Sequence, residues 1–261
     1  MLIRRRALLQ TGLLGGLTVF AGRAAAALPD TVARIKPSIA IVGSFRATDA
    51  PQFRLRGTGF VVAPGNRLVT NLHVLPAASE NQLDMSLVVQ VRSGNGAELS
   101  LRQATVLETD RVHDLALLRI EGQPVPALAI GNSDQVREGQ SVAFMGFPIG
   151  GILGFTPVTH RGIISAITPA VLPAPNARQL TESTIRGVRA GTFDMFQLDA
   201  TAYPGNSGGP LFDVDTGEVL GVLNMVLLKN TRESALSQPS GISYAVPSRF
   251  VRELIERVGT R

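Results

Sequence analysis

No cysteine occurs in the 261 residues, so disulfides, a thiol nucleophile and thiolate metal sites are all excluded, and the fold must be held by packing. Histidine is almost as scarce. Only His73, His113 and His160 are present, far apart in sequence, which argues against a histidine-rich metal site; neither a metal nor an organic cofactor is expected. A long hydrophobic run is missing as well: Ala7–Gly22 has 16 residues and includes Gln10 and Thr11, short of the roughly 20 that a spanning helix needs. With Arg4, Arg5 and Arg6 before it and Ala25, Ala26 and Ala27 after it, residues 1–27 read as a cleaved export signal rather than an anchor. Arg5-Arg6-Ala7-Leu8-Leu9-Gln10 resembles a twin-arginine signal, with an ordinary secretory signal as the alternative. The expected location is the periplasm or the exterior, without stable membrane insertion once the signal is removed.

Nor does the mature chain carry a strong charge of one sign. Four of the 25 bases, Arg4, Arg5, Arg6 and Arg23, and none of the 20 acids lie in the signal, so removing it lowers the formal charge from +5 to +1. No basic run remains to suggest nucleic acid as a partner. Apolar residues make up 44% of the chain, enough to bury a large core in one or two domains.

Helical periodicity is absent until the end. Short segments rich in Val, Ile, Leu and Thr recur between turn signals: SIAIVGSF, GTGFVVAPGNRLVT, MSLVVQVRSGNGAELSLRQATVLE, DLALLRI, QSVAFMGF, RGIISAI, GEVLGVLNMVLL and GISYAVP. SGNG, Ser93 to Gly96, is placed for a hairpin turn. Regular short strands without interleaved helices indicate an all-β sandwich or barrel, and the length suits two small barrels. At the end, Ser248 can cap a helix that puts Phe250, Val251, Leu254, Ile255 and Val258 on one face and stops at Gly259. A short helix around Asp30–Lys36, ended by Pro37, precedes the strands. Thr168–Thr192, polar and carrying Pro169, Pro173 and Pro175, reads as a long mobile loop.

Three side chains are candidates for joint chemistry. Ser207 lies in TAYPGNSGGPLF, among Gly205, Gly208 and Gly209. Those glycines allow a sharp turn that presents the hydroxyl and aims the N–H groups of Gly205 and Ser207 at one point; Asn206 lies between them in the same expected oxyanion-hole loop. A serine hydroxyl is a poor nucleophile until a base takes its proton. His73, in RLVTNLHVL, leaves an apolar strand where a cleft can open. Asp114, in VHDLALLRI, opens a strand whose Leu115, Leu117 and Leu118 read as buried, so its carboxylate needs a hydrogen-bonding partner such as a histidine N–H. His113 adjoins Asp114 but would face the opposite side of a strand, and His160 is placed at a strand start; neither is assigned a catalytic role.

GTGFVV, VTNLHVL, HDLALLRI, THRGIISAI, QLDATAYPGNSGGPLFD, GEVLGVLNM and GISYAVPS, in this order, resemble the trypsin-like serine proteases, and among them the HtrA-like (high-temperature-requirement) family. The resemblance implies a pair of six-stranded antiparallel β-barrels, 28–134 carrying His73 and Asp114 and 135–247 carrying Ser207, followed by a C-terminal helix over 248–261. It implies endoproteolysis of unfolded or peptide substrates by a Ser-His-Asp triad, the 168–192 segment as a sensor loop, and a trimer as the form of a homo-oligomer. In this family the peptide before the nucleophile can flip, leaving a resting enzyme weak. Two departures stand out: Tyr203 replaces the family's usual Asn, and the chain ends at Arg261 without the peptide-binding PDZ domains that members often carry, which puts PDZ regulation in doubt. Thr201, six residues before Ser207, stands where trypsins carry an acid. With Ala202, Asn224, Met225, Val226 and Ile242 it is expected to line a pocket for small or medium apolar side chains rather than Lys or Arg. The alternative reading is a catalytically silent barrel pair that binds peptides or partners.

Overall fold

A computed structural model describes residues 28–76, 85–92, 99–148, 154–170, 193–224 and 241–259. The expected signal, the Ser93–Gly96 turn, Met225, Val226 and all but the first three residues of the 168–192 segment lie outside them.

After helix α1 (Leu28–Ile35), six strands close one antiparallel barrel: β1 (Ile39–Phe45), β2 (Phe53–Val62), β3 (Arg67–Asn71), β4 (Ser86–Arg92), β5 (Leu99–Asp110) and β6 (Leu115–Ile120). Their order around the barrel is β1-β2-β3-β6-β5-β4, with β1 paired to both β2 and β4. A second set repeats the pattern: β7 (Ser141–Gly146), β8 (Val158–Pro169), β9 (Asp194–Asp199), β10 (Pro210–Asp213), β11 (Val219–Asn224) and β12 (Ile242–Pro247), closed in the order β10-β11-β12-β9-β8-β7. Helix α2 (Ser248–Gly259) ends the described chain.

Closure leaves each strand one face toward a barrel interior and one outward, and the apolar residues of β6 occupy both. Ala116 and Leu118 point into the first barrel with Val42, Val61, Leu68 and Val89, whereas Leu115 and Leu117 join Phe60, Val69, Met145, Phe212 and Val222 in a cluster shared by the two barrels. That shared cluster also takes Phe250, Val251 and Leu254 of α2. Hence LALL reads as an unbroken apolar run: all four residues are fully buried, two on each side of the strand. The second barrel fills its own interior with Phe144, Ile164, Phe196, Leu198, Leu211 and Leu223.

Several local expectations change. β9 and β10 are strands outside the apolar runs of the sequence; β10 has only four residues, and β9 follows directly on the proline-rich segment. β8 runs through Thr168 and Pro169, paired with Met195 and Asp194, so any loop begins after it. Ser248 begins α2 but does not cap it: its hydroxyl donates to the Gly131 carbonyl (2.8 Å), while the Arg249 N–H donates to Ser133 Oγ (3.0 Å). The segment between the barrels thus supplies the helix with its cap and fixes its position across both.

Leu118→Ala removes a fully buried side chain inside the first barrel and is expected to cost about 2–5 kcal/mol, read as a lower denaturant midpoint with an unchanged slope. Leu101→Ala, at a 44% exposed position on β5, should stay within about 0.5 kcal/mol of the parent. Equal midpoints for the two variants would contradict the packing described here.

Candidate active site

The turn 111–114 joins β5 to β6, and Asp114 is its last residue rather than the first residue of a strand. Its φ of +54° is the only positive value of a non-glycine residue among the described residues. Asp is among the side chains that tolerate this left-handed backbone best. The geometry is held by its carbonyl, which accepts from the Leu72 N–H and from Asn71 Nδ2, both at 3.0 Å.

So turned, the Asp114 carboxylate meets the short 3₁₀ turn Leu72–Val74 that follows β3. Oδ1 accepts the backbone N–H of His73 (2.9 Å) and Oδ2 accepts His73 Nδ1 (2.5 Å). With Nδ1 bound to the carboxylate, Nε2 is the nitrogen left to act as base. Asn224, expected on the pocket wall, gives this carboxylate its third hydrogen bond: its Nδ2 donates to Oδ2 at 2.9 Å, from a residue only 3% exposed.

The Ser207 loop packs onto the same corner. Thr58 of β2 donates its N–H to the Ser207 carbonyl (2.8 Å) and its hydroxyl to the Gly205 carbonyl (2.6 Å), while that hydroxyl also accepts the Phe147 N–H (3.1 Å). Gly208 pairs with Leu223, the neighbour of Asn224, through its N–H (2.9 Å). At φ +84°, a Cβ on Gly208 would lie 2.2 Å from the Thr58 carbonyl and 2.3 Å from Thr70 Oγ1, so only glycine lets the loop approach β2 and β3 this closely. One chain of contacts therefore runs from the serine loop through Leu223 and Asn224 to Asp114 and His73. Among the described residues the N–H groups of Gly205 and Ser207 meet no acceptor. The N–H of Asn206, expected in the same oxyanion-hole loop, is given to the Tyr203 carbonyl (3.0 Å), so Asn206 contributes no free donor.

The chain from Gly57 to Val222 matches the model of the trypsin-like peptidase domain. It belongs to that family. Among curated relatives it is 32% identical over 202 residues to a probable periplasmic serine endoprotease DegP-like of Marinomonas sp. (strain MWYL1), covering 77% of this chain and 35% of the relative. To the mitochondrial serine protease HTRA2 of Drosophila pseudoobscura pseudoobscura it is 31% identical over 205 residues, 78% of this chain and 39% of the relative. The chain thus spans little more than a third of the length of these relatives. A solved HtrA-type protease, AlgW with a tripeptide, superposes with a TM-score of 0.61 at 26% identity, over 89% of this chain and 64% of that one.

Of the remaining pocket positions in this trypsin-like domain, Ala202 is buried and its N–H donates to Ser243 Oγ (3.0 Å), which itself donates to the Ala200 carbonyl (2.6 Å). Ser243 thereby fixes the segment that carries Thr201, a role that the sequence did not reveal. Ile242 is 43% exposed, at the start of β12. Among the described residues no group of three or more His, Asp or Glu is placed to hold a metal ion.

His160 is the third residue of β8, stacked on Phe144 (4.7 Å between centroids), and its Nε2 lies 3.5 Å from Nδ2 of the fully buried Asn206. It supports the serine loop from beneath. Burial lowers the pKa of His160 from its ordinary 6.5, so the ring is kept neutral. An unfolded chain takes this proton more readily than the folded one. Stability from this group is therefore present above pH 6.5 and is lost as the pH falls through the folded value. Melting temperature should drop more steeply below about pH 6.5 in the parent than in His160→Gln. Equal slopes would remove His160 as the cause.

Proposed function

We propose that this chain is an exported serine endopeptidase acting on unfolded or damaged proteins, with Ser207 as nucleophile, His73 as base and Asp114 as the acid that orients it. The observation that carries the reading is the double engagement of His73 by Asp114, through ring and backbone, beside a serine loop with two unspent N–H donors. In this mechanism His73 Nε2 takes the Ser207 proton as Oγ attacks the scissile carbonyl carbon, and the resulting oxyanion is held by the N–H groups of Gly205 and Ser207. The intermediate collapses, the C–N bond breaks, and His73 returns the proton to the leaving amine. Water then repeats the sequence on the acyl-enzyme and frees the serine.

Asp114 keeps His73 in the Nδ1–H tautomer throughout and stabilises its cation, and Asn224 helps to hold the carboxylate in place. Absence of an acid at Thr201 favours small or medium apolar side chains over Lys or Arg. Export is supported by the basic, apolar and alanine-rich order of residues 1–27 and by the periplasmic naming of the DegP-like relatives.

A fluorophosphonate probe, which needs an activated serine, is expected to label the folded protein once, at Ser207, and not Ser207→Ala. Asp114→Asn should slow hydrolysis of an unfolded protein by about ten-thousandfold, because His73 adopts the wrong tautomer. No labelling of folded protein, with or without added unfolded protein, would favour the silent peptide-binding reading instead.

A further inference from the structure

Behind the turn that carries Asp114 lies a second charged cluster which acyl transfer does not use. Asp110, the last residue of β5, is buried, and its carboxylate accepts four hydrogen bonds. Oδ1 takes the N–H groups of Val112 (3.0 Å) and His113 (3.1 Å); Oδ2 takes His113 Nδ1 (2.9 Å) and Arg257 Nη2 of α2 (2.8 Å). Burial alone would raise the pKa of this carboxyl, yet the bonds from His113 and Arg257 hold it well below the ordinary carboxylate range. The His113 ring is stacked on Phe250 of α2 (3.6 Å, 18°) and meets Phe193, which immediately precedes β9, edge-on at 4.6 Å. Phe193 and Phe250 also touch each other, at 5.3 Å.

Two distant parts of the chain, helix α2 and the residue before β9, therefore converge on one four-residue turn. We propose that Asp110, His113 and Arg257 are positioning residues of the peptidase, locking turn 111–114 so that Asp114 is delivered to His73, and that they make this delivery depend on the docking of α2 and Phe193. The inference rests on the reading of Asp114 as the triad acid. A left-handed aspartate is a minority backbone state that its surroundings must impose. From the following side, Leu72 and Asn71 impose it through the Asp114 carbonyl. From the preceding side, Asp110 Oδ1 gathers the N–H groups of Val112 and His113 and so sets the course of the turn. Apolar side chains of equal volume would fill the space without the desolvation that a buried carboxylate incurs; what the charged cluster adds is direction. His113, expected to face away from Asp114 as its neighbour on a strand, lies in a turn and acts on Asp114 through the backbone.

The test compares His113→Phe, which keeps a ring between Phe193 and Phe250 but removes the donor to Asp110, with Arg257→Ala, Arg257→Lys and, as a control on the same helix, Arg252→Ala, whose guanidinium bonds the Gly131 carbonyl. Each is assayed well below its melting temperature by the rate of fluorophosphonate labelling at Ser207 and by the low-field proton resonance of His73 Nδ1–H. The expected result is labelling about tenfold slower in His113→Phe and Arg257→Ala, with that resonance shifted or broadened, recovery in Arg257→Lys and parent behaviour in Arg252→Ala. Should His113→Phe fail to fold, Arg257→Ala, changed at a partly exposed side chain, carries the test. Lower melting temperatures with labelling and resonance unchanged would make the cluster a structural cap only and overturn the proposal. Asp114→Asn labelling at the parent rate would overturn the triad reading itself, an outcome distinct from the first.

Discussion

The contact on which the cleft depends is the one between Asp114 and His73, and it exists because one non-glycine residue is turned into the left-handed region. With φ at +54°, the Asp114 carbonyl faces Leu72 and Asn71 while its carboxylate faces the ring and the backbone of His73. Any ordinary strand geometry at this position would direct the side chain along the pleat of β6, into an apolar cluster where a carboxylate has no partner. The unusual backbone and the hydrogen-bond geometry are thus one requirement seen from two sides.

Around this contact the barrels are joined by apolar packing and aligned by a few polar bonds. The shared cluster of Leu115, Leu117, Phe212, Val222 and the α2 residues is non-directional; it brings the domains together without choosing an orientation to a fraction of an ångström. Thr58 supplies the choice. Through its N–H and hydroxyl it takes hold of two carbonyls in the serine loop, and through its own carbonyl it accepts Thr70 Oγ1 (2.7 Å). A strand of the first barrel thereby sets the conformation of the loop that belongs to the second.

Much of this was legible in the sequence. Strand runs bounded by turn residues, the amphipathic end helix and the words around His73, Asp114 and Ser207 are local signals, and two barrels with a C-terminal helix follow from them. What escaped was whatever depended on distant partners. β10 is four residues long and carries no period of its own; it is a strand because β7 and β11 flank it. Asn224 has the same apolar neighbours that a pocket wall would have, and only the fold reveals that its amide reaches Asp114 across 110 positions. Asn206 belongs to the oxyanion-hole loop by sequence, and only the 203–206 turn shows that its N–H is consumed within the loop. Asp110 reads as the polar end of a strand until Arg257, 147 residues later, is seen upon it.

A peptidyl chloromethyl ketone with a small apolar P1 side chain reports on the central claim most directly, because its carbonyl carbon bonds the nucleophile and its methylene alkylates the base. One molecule can join both only if they face each other across the cleft. Peptide mapping of the inactivated protein is predicted to recover one inhibitor per chain, alkylated with loss of chloride onto His73 Nε2, and that alkylation is lost in Ser207→Ala. Alkylation at His113 or His160, or at His73 with equal speed in the absence of the Ser207 hydroxyl, would contradict it.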